Sequence, residues 1–182
     1  PFLGVGSLGL IVIVLIWQVV PPLNKHLQNA APRGNPLQVL TNVLNSPNQL
    51  RALAFSTTLM LGHFAIIPFI TPSLVANVGF QQDQVFLIYF VGGLLTIFTS
   101  PLVGRLADRV GKHRVFTLFA LLSIVPVWLI SNLWPVPLWV VLGIAGLFFV
   151  FVNGRMIPVQ AMVSNVVSPQ QRGGFMSINS SV

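Results

Sequence analysis

From Val115 to Gly154 the chain runs for about 40 residues without a single Lys, Arg, His, Asp or Glu. As one continuous helix that run would extend about 60 Å, about twice the hydrocarbon thickness of a bilayer. Such a segment has to turn back on itself. Ser131-Asn132-Leu133-Trp134-Pro135-Val136-Pro137 supplies the place, because two prolines stop a helix and Trp134 suits a membrane interface. This predicts spans over 115–131 and 137–160. By the same criterion residues 1–24 form a span, residues 52–82 form one with His63 as its only ionisable group, and residues 84–104 form another. A further helix opens near Gly173. The expected fold is all-α: a polytopic transmembrane helical bundle with about five full spans and the start of a sixth.

Composition supports the same class. Charged residues make up 6% of the 182 residues, against about 25% in soluble domains. Hydrophobic residues reach 54% and the mean hydropathy is +0.87, more than the surface of a solvated globule of this size can carry. A net charge of +7 and a pI near 11.9 raise nucleic acid as a partner. The placement of the basic residues excludes it, since they sit in breaks between apolar runs and not along one face. The chain has no cysteine, hence no disulfide framework and no thiolate metal site. Pro1 opens the chain without a charged n-region, so the first apolar run does not read as a signal peptide. The sequence is expected to be an internal piece of a longer protein.

The connections alternate between basic and non-basic. Residues 25–51 hold Lys25, Arg33 and Arg51; 79–83 hold only Asp83; 105–114 hold Arg105, Arg109, Lys112 and Arg114. The turn at 131–137 has no charge and the last connection has Arg172. Under the positive-inside rule the basic connections are cytoplasmic, which predicts a multi-pass protein of the plasma (bacterial inner) membrane. Within residues 25–51, Asn35-Pro36 can cap and start a short helix with Leu37, Leu40, Val43 and Leu44 on one face, ended by Pro47. That segment reads either as an amphipathic helix on the membrane surface or as a solvated linker.

The stretch from Gly104 to Arg114 has the pattern G-x-L-A-D-R-x-G-K-x-R and reads as a short charged loop clamped between spans. Asp108, one of only two acids in the chain, sits there among cations. Read from its chemistry, the carboxylate can accept bonds from Arg105 or Arg109, or face the positive end of a neighbouring helix. Contacts of this kind close a seam that opens when helices part. Gly104 and Gly111 allow close approach and a tight turn. Ordinary topology signalling is the competing account of the cations.

This pattern resembles the signature loop of the major facilitator superfamily of transporters, between the second and third helices of a six-helix half. A second stretch, Gly154-Arg155-Met156-Ile157-Pro158-Val159-Gln160-Ala161 through Arg172-Gly173-Gly174-Phe175-Met176-Ser177-Ile178-Asn179, is similar to the fourth-to-fifth-helix region of drug- and sugar-efflux members, the proton antiporter subgroup. The resemblance covers nearly the whole chain. It implies a gating motif of Gly104, Arg105, Asp108, Arg109, Gly111, Lys112 and Arg114. It also implies that residues 1–24 end the first half, residues 25–51 form the cytoplasmic central linker, and residues 52–182 form a truncated second-half bundle. The subgroup's proline–glycine antiporter motif is expected beyond Val182.

Ionisable groups inside spans are costly and functional by default. His63 falls about 18 Å into its span by helical rise, near the midplane. It is a candidate for proton coupling or substrate contact, with a neutral His bonded to a backbone carbonyl as the alternative. Arg155 and Asn153 are further candidates, Arg155 with snorkelling or a carboxylate of the missing half as alternatives. Tyr89 and Gln160 can contact cargo or bond between helices. Pro68, Pro72 and Pro158 are expected to kink their helices. Gly92, Gly93, Gly143 and Gly146 are expected to allow close packing.

The function these features predict is secondary active transport of small molecules by alternating access, as a proton-coupled efflux permease. The expected partners are the lipid bilayer, a small-molecule substrate, protons as coupling ion and the missing first-half helices, with no nucleic acid and no cofactor. An intramembrane enzyme is the rival from another class. Asp83 and Asp108 both lie at connections and the three His lie in separate regions, so no catalytic set assembles. A non-transporting scaffold or receptor on the same fold is the other alternative.

Overall fold

A computed structural model describes residues 2–19, 36–81 and 84–181. Lys25, Arg33 and Asp83 lie outside the described residues, as does the helix cap expected at Asn35. Every regular element among the described residues is a helix. The chain divides into two units, residues 1–35 and 36–182.

The first unit contributes α1, Phe2–Val19, an 18-residue helix with no charged residue in its first or last turn. It is apolar on all sides, as in a membrane span and unlike a surface helix with one apolar stripe. Its length of about 27 Å is close to the thickness of the hydrocarbon core.

The second unit holds α2 (Pro36–Leu44), α3 (Pro47–Phe64), α4 (Ile67–Val78), α5 (Val85–Val110), α6 (Lys112–Ser131), α7 (Leu138–Ser164) and α8 (Arg172–Ser181). Among the described residues, four stretches are long and apolar enough to cross a membrane: Pro47–Val78, Val85–Val110, Lys112–Ser131 and Leu138–Ser164. Between 11% and 33% of the most apolar window of each is buried within the chain, so most of their apolar surface points outward. Only a bilayer or further apolar helices can cover that surface.

Helix α7 is the axis of the unit. It packs most extensively against α5 and α6, which run antiparallel on either side of Gly111. At one end Ile88, Ile130, Val141, Ala145, Phe148 and Val152 join Ile70 and Leu74 of α4 in one apolar cluster. Towards the other end Val103, Ala107, Val115 and Phe119 close the α5–α6 corner. Beside it Val43 of α2, Ala52 of α3, Val159 and Val163 of α7 and Phe175 of α8 form a third cluster. Thus α2 is packed: Val43 is only 2% exposed, and a Cβ on Gly174 would meet Val39.

Two features differ from the expectations above. The segment Gly104–Arg114 is not a loop, because α5 continues to Val110 and α6 starts at Lys112, leaving Gly111 alone outside a helix. Leu, Ala and Arg are strong helix formers, and cationic heads reach water from a helix end as readily as from a loop. The expected kink at Pro68 is instead an interruption. Proline 68 has no N–H to bond the Phe64 carbonyl, so α3 stops at Phe64 and α4 begins at Ile67. Pro72 and Pro158 stay inside their helices.

Candidate functional site

Chemistry-bearing side chains gather in two places. The first is the α5–α6 corner. Gly111 has φ +106° and ψ 135°, a conformation reserved for glycine, and its N–H bonds the Ala107 carbonyl at 3.1 Å. Val115 N–H bonds the Gly111 carbonyl at 3.2 Å, so the two helices are joined by one residue. Arg105, Asp108, Arg109, His113 and Arg114 are exposed around this turn.

The charges run against the helix dipoles. Asp108 lies in the last turn of α5, at the negative end, and Lys112 and Arg114 lie in the first turn of α6, at the positive end. Each placement is unfavourable by about 0.3–1 kcal/mol at an exposed site. Only Arg109 sits where a cation favours its own helix. The Asp108 carboxylate makes no hydrogen bond or ion pair with any described residue. Helix stability therefore does not account for this set of charges. Gly104 is helical, and a Cβ there would meet nothing within 4 Å, so no close approach depends on it.

The second place is halfway along the Pro47–Val78 span. His63 is the penultimate residue of α3, beside the interruption. Ala65 N–H bonds the Leu61 carbonyl at 2.9 Å and Ile66 N–H bonds the His63 carbonyl at 3.3 Å, closing the broken turn. The His63 ring stands edge-on to Phe64 at 5.9 Å, and its buried Nδ1 has no hydrogen-bond partner. Arg155 lies on α7. Its Nη1 donates to Ser123 Oγ of α6 at 3.3 Å, while its buried Nε is unpartnered.

A cavity of about 350 Å³ opens between α3, α7 and α8, lined by Thr57, Met60, Leu61, Phe64, Gln160, Asn179 and Ser180. Asn179 Oδ1 is buried without a partner.

Of the candidates read from sequence, His63 and Arg155 each have a buried nitrogen without a partner and Gln160 lines the cavity. Asn153 does not join them: its amide donates to the Phe149 carbonyl of its own helix at 2.9 Å. Tyr89 shares a 2.9 Å hydrogen bond with Thr71 and joins α5 to α4. Of the glycines, Gly92 and Gly146 leave no room for a Cβ, which would meet Phe149 and Leu95, whereas Gly93 and Gly143 face open space. Ser123, Thr57, Asn179 and Ser180 were not singled out in the sequence. For Ser123 and Thr57 the signal was polarity within an apolar stretch, and it is weak because Ser and Thr also bond to their own helix, as Thr57 does to the Leu53 carbonyl at 2.8 Å; α8 is polar through much of its length, so Asn179 and Ser180 do not stand out in it. Arg172 is structural: its Nε donates to the Ser164 carbonyl at 2.9 Å and its Nη2 to Asn165 Oδ1 at 3.3 Å, capping α7.

The sequence profile described as Major Facilitator Superfamily matches residues 1–182. The chain is 29% identical over 109 residues to "Multidrug resistance protein MdtG" of Proteus mirabilis (strain HI4320), covering 58% of this chain and 25% of that protein. It is 26% identical over 121 residues to "Probable sugar efflux transporter" of Helicobacter pylori (strain G27), covering 66% of this chain and 29% of that protein. The match therefore spans less than a third of the length of either relative. No solved structure matches the chain.

Proposed function

The chain belongs to the major facilitator superfamily, and from that membership we propose that it forms part of a secondary transporter exporting small molecules by alternating access in exchange for protons. The observation that carries this reading is the cavity between α3, α7 and α8. Thr57 and Gln160 belong to membrane-length apolar stretches, and with Asn179 and Ser180 of the short polar helix α8 they line a half-open cavity. Polar groups at membrane depth are tolerated where they line a cavity, and such cavities mark substrate pathways. The names of the two relatives, one for multidrug resistance and one for sugar efflux, favour export of small molecules.

Within this reading the α5–α6 corner is the gate. Asp108 has no partner among the described residues and sits at the unfavourable end of its own helix. A carboxylate so placed is available to a helix N-terminus or a cation elsewhere in the full-length protein, and that contact breaks when the helices part. Arg105, Arg109, Lys112 and Arg114 keep this corner at the cytoplasmic face, and Gly111 makes its turn. His63, beside a helix interruption halfway through a span, is the proton-coupling group, since interrupted spans are where transporters hold substrates and ions. The membrane is the bacterial inner membrane.

Proteoliposomes containing the full-length protein test the reading. An outwardly directed proton gradient is expected to drive counter-movement of a labelled drug or sugar. Gradient-independent, non-saturable leak across a panel of such compounds would refute it.

A further inference from the structure

A guanidinium within a membrane span has two ordinary ways to avoid its desolvation cost: it reaches for the nearest interface, or it pairs with a carboxylate. Arg155 does neither among the described residues. A Cβ on its neighbour Gly154 would strike the Phe119 ring of α6 at 2.5 Å, which sets the level of α7 against α6. Ser123, the partner of Arg155, lies one turn further along α6 from the Lys112 end. The side chain therefore reaches towards the middle of the bundle, away from the charged corner at Gly111. Snorkelling does not describe it.

Its partner does not neutralise it. Ser123 is 2% exposed and donates its own proton to the Ala120 carbonyl at 2.7 Å, so its oxygen offers Arg155 one neutral acceptor. The bond uses Nη1. The opposite edge of the guanidinium has a buried, unpartnered Nε, and Nη2 makes no hydrogen bond with any described residue. Nε and Nη2 present two parallel N–H groups, the spacing that the two oxygens of a carboxylate accept side-on. Asp108 is the single acid among the described residues, and no ion pair links it to Arg155.

We propose that the Nε–Nη2 edge of Arg155 is a binding site for a carboxylate, with Ser123 holding the guanidinium in orientation by its Nη1. The carboxylate has two possible sources. It belongs to the transported molecule, in which case the inference rests on the transport reading and makes the cargo an organic anion. Otherwise it belongs to an Asp or Glu elsewhere in the full-length protein.

The test uses full-length protein in proteoliposomes, phenylglyoxal as an arginine reagent and peptide mapping to follow Arg155 alone. Benzoate serves as the carboxylate probe and benzamide as its neutral isostere. With a site open to solution, benzoate slows modification of Arg155 and benzamide does not. Arg155→Lys, which keeps the charge but loses the fork, then weakens benzoate binding by about tenfold. With an internal carboxylate, Arg155 is unreactive with or without benzoate and becomes reactive when one Asp or Glu of the remaining chain is neutralised. Modification at one rate with benzoate, with benzamide and with neither overturns the proposal, as does an unreactive Arg155 that no acid substitution exposes. Neither arm requires transport, so benzoate protection without cargo movement refutes the transport reading alone, and transport by a protein whose Arg155 is modified at one rate under all three conditions refutes this inference alone.

Discussion

Gly104 and Gly111 belong to one motif but are under different constraints. Gly111 holds a backbone conformation that costs a residue with a Cβ about 1–3 kcal/mol. Gly104 is helical with open space around it, where alanine is favoured by about 0.5–1 kcal/mol. Gly111→Ala is thus expected to lower the thermal midpoint of the purified full-length protein and Gly104→Ala to hold or raise it; equal shifts would show that the turn does not depend on Gly111. Asp108→Asn separates fold from function. The exposed carboxylate makes no hydrogen bond or ion pair with any described residue, so stability is expected to move by less than about 0.5 kcal/mol. Transport is expected to fall at least about tenfold if an ion contact worth about 1.4 kcal/mol closes the gate. Parallel loss of folded protein and of activity would make Asp108 structural. His63→Gln keeps a polar side chain but removes the titratable ring. It is expected to abolish gradient-driven accumulation while downhill exchange of substrate continues, and undiminished accumulation would assign His63 to packing.

At the scale of elements, the interruption between α3 and α4 is the feature most tied to mechanism. Proline 68 prevents the Phe64 carbonyl from being bonded in the helical pattern, and the two residues between the helices give the span a joint beside His63. Pro68→Ala restores the missing N–H. Slower amide exchange over residues 65–68 is expected, together with reduced transport, and unchanged exchange would place the cause of the break in tertiary packing. Much of this level was legible beforehand. The turn after Ser131 follows from Pro135 and Pro137, and α6 and α7 begin and end within a few residues of the expected limits. The charged segment at 104–114 misled because charge density was taken for a loop, whereas the helix-forming residues within it carry α5 out to Val110.

For the whole molecule, topology is the testable consequence. The chain has no cysteine, so single substitutions can be read with an impermeant thiol reagent. Lys112→Cys is expected to be labelled only from the cytoplasmic side and Trp134→Cys only from the opposite side; labelling of position 112 from outside would invert the arrangement. The succession of apolar spans, the turn after Ser131 and the alternation of basic connections were legible in the sequence alone, because they depend on runs of neighbouring residues: apolar length, proline position and charge spacing; the break before Pro68 and the extension of α5 to Val110 were not. The levels and rotations of the helices were decided by tertiary packing, such as Gly154 against Phe119 and Val39 against Gly174. Those contacts turn Arg155 inward to Ser123, bring Gln160 and Asn179 to one cavity and leave Asn153 bonded to its own helix. Residues 32 positions apart in the chain, as Ser123 and Arg155 are, meet only because their helices pack closely, and no local pattern encodes that distance.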